Sequence, residues 1–158
     1  MSSAQRYIAF LRAINVGGHV VKMDRLRALF VELGFADVAT FIASGNVIFE
    51  TPEANVLALE AQIERHLHQA LGYEVATFIR TPAELATIAA TPFPDAGSAY
   101  HGLYVSFIKE PLGDVARQRL LALQTENDAF HTQGCEFYWL CRARLDNTPA
   151  MAPLLNKA

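Results

Sequence analysis

No apolar run in this sequence approaches the roughly 20 residues that a membrane-crossing helix needs. No secretory leader is expected either, because Arg6 and Arg12 interrupt the apolar stretch near the N-terminus. A cytoplasmic protein with no membrane partner is the expectation. Cysteine is scarce: Cys135 and Cys141 are the two in the chain, six residues apart on one expected strand. At ~3.3 Å per residue they lie about 20 Å apart, too far to bridge. Both are read as buried thiols of a reducing compartment. Histidine offers no metal-ligand spacing, since His66 and His68 point different ways on a helix and His101 and His131 stand alone. Neither a metal nor a cofactor is expected.

Charge is sparse, at 18% of residues against 52% apolar, which excludes a disordered chain and supplies a generous core. A length of 158 residues suits one ordinary domain or two very small ones on a shared core. The charge is also uneven. Residues 1–27 carry Arg6, Arg12, Lys22, Arg25 and Arg27 against Asp24, a net +4, which leaves −7 for the rest of a chain of net −3. A locally basic end can attract a small anion, but no broad basic face for a nucleic-acid duplex is present.

The first half reads as an alternation of strands and helices. Residues 7–14 are apolar on both faces except at Arg12, as a central strand would be. After the loop 15–22, Met23, Leu26, Leu29, Phe30 and Leu33 repeat at helical spacing, with Gly34 as the terminating residue and Phe35 packing back. Residues 38–42 and 47–50 form a hairpin around residues 43–46. Thr51-Pro52 is read as the N-cap and first residue of a second helix, whose stripe is Val56, Leu59, Ile63, Leu67 and Leu71 and whose end is Gly72. Residues 74–80 make a fourth strand, giving the βαββαβ succession of ferredoxin-like folds. Thr81-Pro82-Ala83-Glu84 is a capping box that opens a short helix ending before Pro92.

Beyond a Pro- and Gly-rich linker at 91–102 the pattern restarts. It runs through a strand at 103–108, a helix at 114–124 and a hairpin of 128–133 with 135–142 around Gly134. Residues 149–158 read as the start of a last helix. The expected fold is α/β (α+β), an internal duplication with a ferredoxin-like half at 1–82. The linker and an incomplete second half occupy 83–158. Strands apolar on both faces need cover on both sides, so the halves are expected to pack as one compact unit.

The segments YIAFLRAINVGG from Tyr7, KM-x-x-L-x-x-L at 22–29, LGF at 33–35 and SGNVIF at 44–49 closely resemble a bacterial family labelled domain of unknown function 1697. Pro92-Phe93-Pro94 and the FYWL strand at 137–140 match it too. The resemblance spans nearly the whole chain and implies a duplicated, ferredoxin-like arrangement, with no activity attached. Members of that family usually continue into a Thr-x-Arg-Asn-like run. No such run follows Asn156-Lys157-Ala158, so a site that used those residues would be incomplete here.

In a βαββαβ unit the loop after the first strand and the turn of the first hairpin share one end of the sheet. That puts Asn15, Gly17, Gly18, His19 and Lys22 near Ser44, Gly45 and Asn46. Bare backbone, a lysine and a helix N-terminus are ingredients of a small-anion site, and Arg12 can add a bidentate donor. The expected ligand-binding set is Arg12, Asn15, Gly17, Gly18, Lys22, Ser44, Gly45 and Asn46. The competing structural reading gives the glycines to the turns and Asn15 to capping. Arg12, on an apolar strand, is expected to be a buried cation in need of a partner.

No catalytic constellation is recognised. Ser44 lacks a nucleophile elbow and no acid orients His19. Two alternatives come from other classes. Tyr7, Phe10, Phe41 and Phe49 could face a single strand of nucleic acid, but without an RNP pattern core packing explains them better, and nucleic acid is not the expected partner. The other is a non-catalytic module that dimerises through a sheet face or edge, which would make the protein a homodimer.

Overall fold

A computed structural model describes residues 3–12, 14–15, 18–41, 45–90 and 102–142. The described residues form an α+β fold with four helices and two antiparallel sheets, in two compact units, Met1–Ala90 and Thr91–Ala158. The expected linker at 91–102, apart from Gly102, and the last helix at 149–158 lie outside the described residues. None of the described helices is long and apolar enough to cross a membrane.

The first unit runs β1 (Gln5–Leu11), α1 (Met23–Glu32), β2 (Ala36–Phe41), β3 (Asn46–Thr51), α2 (Val56–Leu71), β4 (Thr77–Arg80) and α3 (Pro82–Ala90). Its sheet has the order β2-β3-β1-β4, with every pair antiparallel. Alternation along the strands sorts the two faces. Tyr7, Ala9, Leu11, Val47, Phe49 and Ile79 are buried with Leu26, Leu29 and Phe30 of α1 and Leu59, Ile63 and Leu67 of α2. The Phe49 ring lies 5.6 Å from Phe30 and 4.5 Å from Phe35. Ile8, Phe10, Ile48 and Phe78 occupy the opposite face and are half-buried.

The helix ends follow local chemistry. After α1, Gly34 sits at φ +86° with its N–H on the Val31 carbonyl, and Phe35 folds back into the core. Gly72 ends α2 at φ +83° with its N–H on the His68 carbonyl. At α3 the capping box is reciprocal: Thr81 N–H donates to Glu84 Oε1 and Glu84 N–H to Thr81 Oγ1, each at 3.1 Å.

Three expectations for the first unit need correction. Asn55, not Thr51, caps α2, its side chain accepting from Ala58 N–H at 3.1 Å. Thr51 is instead the last residue of β3, opposite Gln5. β4 begins at Thr77 rather than at 74, because β1 ends at Leu11, its partner. For the same reason Arg12 falls just past the strand and is exposed, not buried, with its N–H on the Ala76 carbonyl at 2.9 Å.

The β4 edge is closed by α2. Ile79 N–H donates to Glu60 Oε2 at 3.0 Å and Thr77 N–H to Glu64 Oε1 at 2.9 Å. Glu60 is 5% exposed. A carboxylate can be buried at that depth because it accepts hydrogen bonds. One helical turn separates the two glutamates, while the outward N–H groups of an antiparallel edge recur every second residue.

The second unit contains β5 (Gly102–Phe107), α4 (Asp114–Leu121), β6 (Asp128–Gln133) and β7 (Glu136–Cys141), with sheet order β5-β7-β6. Phe130, Trp139 and Cys141 are buried on one face against Leu120 and Leu123. Asp128, itself buried, accepts from Trp139 Nε1 and from Thr125 Oγ1, both at 2.9 Å. Cys141 is buried as expected, but Cys135 is only half-buried. It precedes β7 in the turn after Gly134, with Sγ 3.9 Å from the Lys109 carbonyl.

Candidate functional site

The link from β1 to α1 and the turn from β2 to β3 meet at one end of the first sheet. Leu11 N–H donates to the Gly45 carbonyl at 3.2 Å, continuing the β1–β3 register by one pair. Gly45 has φ +87°, and a Cβ placed there would stand 2.5 Å from Ile14 Cγ2 and 3.4 Å from Leu11 Cβ. Only glycine fits this contact, on conformation and on space alike.

Two further bonds tie the loop down. Tyr73 Oη donates to the Ile14 carbonyl at 2.9 Å, and Asn15 Oδ1 accepts from Val21 N–H at 2.6 Å. Burial pushes the Tyr73 phenol above its ordinary value, favouring the neutral form that donates this bond. His19 is exposed and stacks on Tyr73, with ring centroids 3.8 Å apart and planes 19° from parallel. Gly18 is at φ +86°, with open space where a side chain would be.

Lys22 occupies the N-cap position of α1 and is exposed; its side chain makes no cap, while its carbonyl accepts from Leu26 N–H at 3.0 Å. The first N–H groups of any helix lack intrahelical partners and carry a partial positive charge. Asp24 lies in the same first turn.

Gly45 is thus brought against Leu11 and Ile14, with Arg12 and Asn15 in the same loop. Asn46 is opposite both Phe10 and Phe41, on the sheet face away from the helices. It therefore leaves the sheet on the side opposite α1. Gly17 and Ser44 lie outside the described residues. Sequence reasoning passed over Tyr73, although an aromatic directly after the helix-ending Gly72 is a signal that it packs near the sheet end.

Elsewhere, His66 is half-buried and its Nε2 lies 3.0 Å from Glu32 Oε2, while His68 is exposed. No three His, Cys, Asp or Glu side chains cluster as metal ligands among the described residues. Of the four aromatics weighed for stacking on nucleic acid, Tyr7 and Phe49 are buried under the helices. Phe10 is half-buried and Phe41 is 60% exposed.

Residues 4–138 match the family described as "Protein of unknown function (DUF1697)". The chain belongs to that family. Among solved structures this DUF1697 member is similar to the conserved bacterial protein SP0830 from Streptococcus pneumoniae, with a TM-score of 0.74 and 20% identity. The match covers 90% of this chain and 79% of that one. At that identity the likeness shows the fold alone. No curated protein matches the chain.

Proposed function

We propose that this DUF1697 member binds a small polar or anionic ligand at the loop end of its first unit. The observation that carries the reading is the contact of Gly45 with Leu11 and Ile14, which sets the hairpin turn beside the loop leading to α1. Exposed Arg12 and Lys22 give this end its positive charge. Gly17 and Gly18 allow close backbone approach, and the start of α1 favours an anion. Asn15 serves the site by ordering the loop through Val21, while Ser44 orients the ligand from the turn; Asn46, on the face away from α1, does not belong with them. The reading is a binding function in a cytoplasmic protein, with no reaction assigned. The second unit, which repeats the strand–helix–strand–strand order of the first, is read as a duplicate of those four elements.

The test is thermal denaturation of the full chain with inorganic phosphate, nucleotides and small carboxylates, repeated on Arg12→Ala and Lys22→Ala. At least one anion is expected to raise Tm, with the rise reduced in both variants. A rise that survives both substitutions rejects the site. Tight, salt-dependent retention of single-stranded RNA or DNA would favour nucleic-acid binding instead.

A further inference from the structure

We propose that the outer edge of β2 pairs with β2 of a second copy of this chain. Among the described residues, β2 ends the sheet on one side with β3 as its one strand neighbour, and β4 ends it on the other. The outward N–H groups of β4 are already held by Glu60 and Glu64. Strand addition is thereby directed to β2.

The register identifies the groups that β2 turns outward. The bond from Leu11 N–H to Gly45 O makes that pair a hydrogen-bonded one, so Gly45, Val47 and Phe49 direct their backbones toward β1. Asn46 and Ile48 then direct theirs toward β2, where they oppose Phe41 and Ala39. By alternation Thr40 presents its N–H and C=O to the outside. Towards the start of β2 the register shifts between Ala36 and Ala39, and Asp37 sits at φ +48°, which ends the regular edge there. The regular run is residues 39–41, centred on Thr40.

This centre is self-complementary. A two-fold axis through Thr40, perpendicular to the sheet, sets the two Thr40 backbones against each other in a reciprocal pair of hydrogen bonds. It also keeps the helices of both copies on one side of the joined sheet. The same register places each Phe41 opposite Ala39 of the second copy, on the face away from the helices. Phe41 is 60% exposed and Ala39 is small and exposed, so a large side chain meets a small one twice and no like charges meet. An interface built on so short a run is expected to be weak and concentration-dependent.

The experiment is sedimentation velocity of the full chain from about 10 μM to about 1 mM, with Phe41→Lys alongside. A reversible dimer is expected, weakened at least tenfold by Phe41→Lys while the circular dichroism spectrum and Tm stay those of the unaltered chain. In a Cys135→Ser background, oxidised Thr40→Cys is expected to form a covalent dimer and Phe41→Cys, which faces Ala39, to form far less. A chain that stays monomeric throughout overturns the proposal and leaves the edge to an extended segment of another protein. A dimer indifferent to Phe41→Lys, or cross-linking equal at both positions, also overturns it.

Discussion

At the β4 edge the N–H groups of Thr77 and Ile79 end on carboxylates from α2, whereas at the β2 edge Thr40 faces outward beside an exposed Phe41. Both strands border the same four-stranded sheet, and both would expose a row of backbone donors and acceptors if left alone. Sealing β4 requires a helix long enough to lay two acids along the strand, one of them almost wholly buried. On the other side α1 lends no such residue. Among the described residues the edge is interrupted near its start, by the bulge at Asp37. Closure is thus concentrated at the β4 edge, beside the buried Ile79 and Thr77, while the β2 edge has no such cover from α1.

The largest effect is expected where the seal is deepest. Glu60→Ala strips the partner from the N–H of Ile79, itself 1% exposed, and should cost about 2–3 kcal/mol in urea denaturation. Glu60→Gln retains an acceptor oxygen and should lose clearly less. Next comes the turn joining β2 to β3: Gly45→Ala combines φ +87° with a clash on Ile14 and should cost about 2 kcal/mol. Truncating Ile14 to Ala in the same chain should make the two changes less than additive. Glu64 is only half-buried, so Glu64→Ala should cost about 1 kcal/mol. At the open edge, Phe41→Lys should leave stability within about 0.5 kcal/mol in dilute solution. Equal losses at Glu60 and Phe41 would break the comparison.

The strand order of the first unit was legible because each turn and helix end carries its own local chemistry. Gly34 with Phe35, and Thr81 with Glu84, behave as their sequence contexts imply. What misled was set by long-range pairing. Thr51-Pro52 and Asn55 are both reasonable caps on local grounds. The choice falls to Asn55 because Thr51 is drawn into the sheet opposite Gln5, with Tyr7 Oη also tying down the Glu53 carbonyl at 3.0 Å. Arg12 reads as buried only if β1 runs on to residue 14, and it stops at Leu11. Of the candidate site, the meeting of Gly45 with the β1–α1 loop follows from topology. The use of Tyr73 as an anchor does not, because no local pattern connects residue 73 to residue 14. Glu60 and Glu64 were hidden for a similar reason: acids beside an apolar stripe look like a solvated face until the edge strand beneath them is known.

Amide hydrogen exchange at Thr40, Thr77 and Ile79, followed by NMR in dilute and concentrated solution, tests the contrast most directly. Thr77 and Ile79 are expected to exchange slowly at both concentrations and at least tenfold faster in Glu60→Ala/Glu64→Ala. Thr40 is expected to exchange rapidly when dilute and more slowly when concentrated. Thr77 and Ile79 exchanging as fast as Thr40 in dilute solution, or Thr40 already protected there, would contradict the division of this sheet into a sealed edge and an open one.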